Sequence, residues 1–173
     1  IYSREEIAAI AALARRYGAT LIVDELYSRQ VFDGRSYTHL CAQGERPDNL
    51  ITIIGPSKTE SLSGFRLGVG YGTPEIITRM EKLQAIVSLR APGYCQAVFA
   101  SWFAEPEGWL RQRVAEHQAI RDELLARFRA CPGVAARTTE AGSYLFPQLP
   151  PLAVSGGDFV KILRVHAGVT VTP

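Results

Sequence analysis

The sequence has few cysteines, no long apolar run and no excess of either charge. Its three cysteines, Cys41, Cys95 and Cys131, are odd in number and far apart. They offer no metal-ligand spacing and suggest a reducing, cytoplasmic setting. The three histidines, His39, His117 and His166, show no ligand spacing either, so no metal site is expected. The formal charge is +2. That gives no electrostatic reason to expect nucleic acid or an anionic membrane surface as a partner. No apolar stretch is long enough to span a bilayer, and the first residues lack the pattern of a signal peptide. What is present is a 47% share of hydrophobic residues, enough for a folded core. The 173 residues allow one ordinary domain or two small ones. The chain opens with Ile1 rather than Met, straight into helix signals, and stops directly after an apolar run, so it is expected to be a piece of a longer protein.

Ser3-Arg4-Glu5-Glu6 is a capping box, in which Ser3 caps a helix and Glu6 reaches back. Ile7, Ile10, Ala11, Ala14 and Tyr17 share one face of that helix, and Gly18 ends it. Ala19–Val23 follows as a continuous apolar strand, which predicts burial on both faces as in a parallel sheet. Residues 28–48 are polar and broken by Gly34, Gly44 and Pro47, so they read as a loop. Leu50–Ile54 is a second buried strand, and Arg66–Tyr71 a third. Pro74 opens a helix running to about Leu89. After the Pro92-Gly93 break a helix is predicted from about Tyr94 to Ala104. A long amphipathic helix spans Glu107–Arg129, with Leu110, Val114, Leu124, Leu125 and Phe128 as its stripe. Cys131-Pro132-Gly133 stops it. Short strands at 134–138, 143–147 and 169–172 and a helix at about 158–166 complete the prediction. The strand–helix alternation gives way to an α+β pattern near Pro106.

Two nucleotide-binding motifs have superficial matches. Leu21–Glu25 looks like a Walker B strand and Ser57-Lys58-Thr59 like the end of a phosphate loop. That loop needs glycine immediately before its lysine, because the backbone wraps the phosphate there, and Ser57 holds the position. Gly68-Val69-Gly70-Tyr71-Gly72 fails the dinucleotide pattern, since Thr73 occupies its last place. A different chemistry fits better. Two strand-like segments each deliver polar groups at their C-terminal ends: Asp24 and Tyr27 after the first, Ser57 and Lys58 after the second. Arg66 follows Lys58 by eight positions. A lysine amine at a strand end can form a Schiff base with an aldehyde. An acid, a phenol, a hydroxyl and a guanidinium can hold an anionic ring-shaped cofactor around it.

The combination of Asp24-Glu25-Leu26-Tyr27, Ser57-Lys58-Thr59 and Gly64-Phe65-Arg66-Leu67-Gly68 resembles the class I/II aminotransferases of the fold type I pyridoxal-phosphate enzymes. The opening Ile1–Glu6 is similar to the segment after that family's Asn-Pro-x-Gly loop. The resemblance implies an α/β fold: part of a large domain with a mostly parallel sheet and helices on both faces, plus part of a smaller α+β domain. It implies pyridoxal 5'-phosphate as cofactor and Lys58 as its Schiff-base lysine and as the general base. It assigns Asp24 to the ring nitrogen, Tyr27 to the phenolic oxygen, and Ser57 and Arg66 to the phosphate. Arg90 matches a loop that in some members offers an arginine to the partner subunit's substrate, so it is a candidate for substrate binding. Gly55 stands where many relatives carry a serine or threonine.

The same resemblance leaves the glycine-containing phosphate loop, the ring-stacking aromatic and the substrate-carboxylate arginine outside residues 1–173. The fragment is therefore expected to be inactive alone, while the whole protein would be a cytoplasmic homodimer transferring an amino group between an amino acid and a 2-oxo acid. Residues 1–106 would be the C-terminal part of the cofactor-binding large domain. Residues 107–173 would be the linking helix and most of the small domain. The alternatives are a lyase or synthase on the same scaffold, or the ligand-sensing domain of a transcription regulator.

Overall fold

The structure is a computed structural model that describes residues 1–173. It divides into two compact units, one of residues 1–119 with 140–143 and one of residues 120–139 with 144–173.

The first unit is built on a three-stranded sheet of order β1-β2-β3. Helix α1, Arg4–Tyr17, precedes it and carries the predicted capping box: Ser3 Oγ accepts from the Glu6 amide at 3.1 Å and Glu6 Oε2 accepts from the Ser3 amide at 2.6 Å. Gly18 closes the helix in the left-handed region at φ 61°. Strand β1, Leu21–Asp24, pairs parallel with β2, Leu50–Ile54, in a register that sets Leu21 opposite Leu50 and Asp24 opposite Ile53. Strand β3, Val69–Gly72, pairs antiparallel with β2. The mostly parallel sheet expected from the sequence is therefore mixed in this segment.

Ile7 of α1, Leu40 and Leu50 form a buried cluster, with Ile10, Leu21, Val23 and Cys41 packed around it. Because side chains alternate along a strand, the other face of the sheet carries Ile22, Ile53, Gly70 and Gly72. Helix α2, Pro74–Val87, lies against β3 there: a Cβ on Gly70 would come within 3.0 Å of Met80 Cε. β1 is not buried on both faces, since Ile22 is 67% exposed.

β3 begins three residues later than the sequence suggested. A 3-10 turn at Ser63–Phe65 leads into Arg66, whose φ of 56° is left-handed and cannot start a strand. The helix expected over 94–104 is only one α turn, α3 at Gly93–Gln96, continued as a 3-10 turn over Ala97–Ala100. The chain then turns through Phe103 at φ 66°, where the Trp102 and Phe103 rings stack at 4.5 Å. The α-helical pattern gives way to 3-10 bonding already at Ala97, before these rings.

Helix α4, Trp109–Ala130, runs out of the first unit into the second, and buries Arg121 and Leu125. In the second unit the predicted strands do not form. A single bridge joins Ala135 to Gln148, with reciprocal backbone hydrogen bonds of 3.0 and 2.7 Å. Pro147, Pro150 and Pro151 lack the amide donor that would extend it. Helix α5, Gly156–Ile162, is capped by Ser155 and passes into a π turn over Leu163–Ala167, and residues 169–172 are not a strand. No helix is long and apolar enough to cross a membrane.

Candidate active site

Strands β1 and β2 run side by side in the same direction, so their C-terminal ends open together. Backbone pairing continues one step past β1, where the Glu25 amide donates to Ile53 O at 2.8 Å. Two tight turns follow, closed by Ser28 N to Glu25 O and Gln30 N to Tyr27 O, each at 2.9 Å. Tyr27 lies within these turns. After β2, the Ser61 amide bonds Lys58 O and the Leu62 amide bonds Pro56 O, both at 3.1 Å. This second turn presents Lys58.

The two turns meet. Lys58 Nζ lies 5.6 Å from the centre of the Tyr27 ring, a cation–π distance. Asp24, the last residue of β1, is exposed, and its Oδ1 accepts from the Leu26 amide at 3.1 Å. That contact is the turn-capping role an aspartate after a strand commonly plays, and it also fixes where the carboxylate sits. The Ser57 hydroxyl donates to Leu67 O at 3.4 Å, which ties the Lys58 turn to the segment carrying Arg66. Arg66 is exposed and its guanidinium donates to Ser63 O at 2.8 Å. Arg90 is apart from this group, in the exposed segment between α2 and α3.

Glycines allow the close approach. A Cβ at Gly55 would meet Leu26 Cδ2 at 3.0 Å, Leu67 O at 3.1 Å and the Gly68 Cα at 3.3 Å. The backbone thus threads between the β1 turn and the entry to β3, where no side chain fits. Gly142, at φ 79°, lies under the Tyr27 ring, where its absent Cβ would be 3.6 Å from Tyr27 Cγ.

Several supporting residues are not legible as site residues in the sequence. Glu25 is buried, with Oε2 2.6 Å from His39 Nδ1. The His39 ring also lies 4.9 Å from that of Tyr37. Burial, then the charges of Glu25, Asp24 and Cys41, pushes the Tyr37 phenol up to about 12. Tyr71 is raised as well, first by burial and then by its 3.2 Å contact with Cys41 Sγ. Arg113 of α4 donates to Thr59 O at 3.2 Å and to the Ser61 hydroxyl. Arg29 bridges Glu60 and Glu105. No group of three or more His, Cys, Asp or Glu side chains is placed to hold a metal ion.

The donor set can be tested against an aldehyde cofactor that bears a phosphate and a ring nitrogen. A carboxylate, a phenol, a hydroxyl, an amine and a guanidinium are the groups such a molecule requires, and the first four stand on two adjoining strand ends. Gly55 leaves room for the Leu26 side chain and the Leu67–Gly68 backbone to close on the end of β2. The residues fit.

The family model for class I and II aminotransferases matches residues 1–173. The chain belongs to this family. A crystal structure of an aspartate aminotransferase from Rhodobacter sphaeroides is 65% identical, with a TM-score of 0.96 over 100% of this chain and 44% of its own. The asparagine–oxo-acid transaminase of Streptococcus mutans is 36% identical over 99% of this chain and 45% of its own length. Cystalysin from Treponema denticola, whose crystal structure contains pyridoxal 5'-phosphate, is 17% identical with a TM-score of 0.89, a likeness of fold alone. The chain spans less than half the length of these relatives. The fold is thus the fold type I α/β arrangement that the sequence suggested.

Proposed function

We propose that the protein containing this chain is a pyridoxal 5'-phosphate-dependent aminotransferase, moving an amino group between an amino acid and a 2-oxo acid. The observation that carries this reading is the meeting of Lys58 with Tyr27 at paired strand ends, beside Asp24. The names of the relatives support aspartate as one amino acid handled.

In this reading Lys58 would hold the cofactor by condensing with its aldehyde, with loss of water, and is the one catalytic residue of the chain. Asp24 holds the ring nitrogen protonated through its negative charge. Tyr27 donates a hydrogen bond to the phenolic oxygen. Ser57 and Arg66 would hold the phosphate, Arg66 by a charge-assisted contact in place of its bond to Ser63 O. The cofactor, when bound, supplies the electron sink for charge that develops at the substrate Cα. Lys58 Nζ, once displaced from the aldehyde carbon by the substrate amine and free as an amine, would move the proton at the substrate Cα. Residues 1–106 would be the C-terminal part of the large domain and 107–173 the linking helix and most of the small one, in a cytoplasmic homodimer. The fragment alone would not transaminate, because the substrate would not be held in a near-attack geometry.

The chain has three lysines, Lys58, Lys82 and Lys161. Borohydride reduction of the complete protein with bound cofactor, followed by peptide mass analysis, is expected to place the label on Lys58. A label on Lys82 or Lys161 instead would overturn the reading.

A further inference from the structure

Arg29 stands two residues after Tyr27, and Glu60 stands two residues after Lys58. The structure pairs them. Arg29 Nη1 donates to Glu60 Oε1 and to Glu105 Oε1, the latter at 2.6 Å. Its guanidinium carbon lies 4.5 Å from the centre of the Phe103 ring. The side chains of Arg29, Glu60 and Glu105 are largely buried, at 19%, 6% and 17% exposure. We propose that Arg29 is a positioning residue, which clamps the Tyr27 turn to the Lys58 turn and so sets where the Lys58 amine stands.

The reasoning is electrostatic and geometric. Two carboxylates share one cation in a partly desolvated place, where an ion pair is screened far less than on the surface. The hydrogen bond from Arg29 is the leading cause that holds the Glu105 carboxyl below the usual carboxylate range. Lys58 is only two residues from Glu60, and Arg113 holds Thr59 O from the other side at 3.2 Å. The turn bearing the amine is therefore gripped at both residues that follow it. The segment 103–105 is fixed by the same guanidinium, through Phe103 and Glu105. Without Arg29, Glu60 and Glu105 would face each other as unneutralised acids, and the two turns would lose their direct ionic tie.

The inference rests on the aminotransferase reading. Its test uses the complete protein with bound cofactor, reading the pH midpoint of the cofactor's visible absorbance together with kcat and KM. Arg29→Met removes the cation that neutralises Glu105 and Glu60, the latter two residues from Lys58, and the added negative charge favours positive charge at the Lys58 nitrogen. The midpoint should rise by about one unit. A displaced amine should lower kcat by roughly 10–100-fold with KM within about twofold. Arg29→Lys keeps the charge and should hold the midpoint near that of the wild type.

Glu60→Gln removes one acid and keeps the guanidinium, so its midpoint should move down. This opposite shift keeps the test decisive if Arg29→Met fails to fold. A lowered melting temperature with unmoved midpoints and kcat would mean a structural role only, and would overturn the clamp while leaving Lys58 as the labelled lysine. A wild-type protein that takes no borohydride label on Lys58 would instead remove the aminotransferase reading itself.

Discussion

His39 Nδ1 lies 2.6 Å from Glu25 Oε2, and the Glu25 side chain is wholly buried while that of His39 is 45% exposed. Glu25 directly follows Asp24, so this contact anchors the β1 turn to the loop that returns from it. Glu25 Oε1 has no hydrogen-bond partner, which leaves His39 as the contact that holds this carboxylate. Replacing His39 with Ala strands a buried carboxylate. Stability should fall by ~1–3 kcal/mol, the usual cost of an unsatisfied buried polar group. Adding Glu25→Gln to His39→Ala should recover part of the loss, since the buried charge is gone. Urea unfolding of the two variants checks this, and equal losses would mean that the contact is incidental.

Gly55→Ala should disturb the site through the backbone. The new methyl group would meet two backbone atoms, Leu67 O at 3.1 Å and the Gly68 Cα at 3.3 Å. Forcing the turns apart should cost ~1–3 kcal/mol and weaken retention of the proposed cofactor. Gly44 has open space around its missing Cβ, so Gly44→Ala should change stability by no more than ~0.5 kcal/mol. Thermal melts and cofactor release by dialysis compare the two.

The Tyr37 phenol is pushed up to about 12, first by burial and then by Glu25 and Asp24. In the unfolded chain it ionises near the ordinary value of about 10. Between those values the folded chain holds a proton that the unfolded chain has lost, so stability falls as pH rises. The contribution is complete below about pH 10 and vanishes as pH passes through about 12. Tyr37→Phe should flatten this part of the alkaline limb. Melting temperatures across that range test it, and parallel curves for wild type and variant would contradict the assignment.

The strand ends were readable because buried strands and glycine-bounded turns are local signals. Asp24 and Lys58 could be placed at such ends from the runs Leu21–Val23 and Leu50–Ile54 alone. The pairing of Arg29 with Glu60 was not readable, although both lie at the same offset from their site residues. It becomes visible only once the two parallel strands are known to be neighbours. His39 appeared ordinary for the same reason, since its partner is 14 residues away across a loop. The short strands expected at 134–138 and 143–147 do not form. Phe146, 95% exposed, and the prolines around it satisfy no ladder. The helix expected over 94–104 is shorter because its hydrogen bonding changes to 3-10 at Ala97, a switch with no marker residue in the sequence.

Arg90 gives the sharpest test of substrate choice. It follows Leu89, whose φ of 60° turns the chain out of α2, and it is exposed. A residue held only for the dipole of α2 would sit in the last turn of the helix, whereas α2 ends at Val87. Placed past the end on a turned-out, exposed segment, the guanidinium would be available to a substrate carboxylate if the complete protein is the homodimer proposed above. A bidentate contact to an acidic side chain is the chemistry arginine does best. In the complete protein, Arg90→Ala should lower kcat/KM for aspartate by about 10–100-fold, the range for losing a charged hydrogen bond. The value for an aromatic amino acid should stay within about twofold, because its ring offers no anion to hold. An unchanged aspartate-to-aromatic ratio would leave Arg90 a surface residue and would place acidic selectivity elsewhere in the protein.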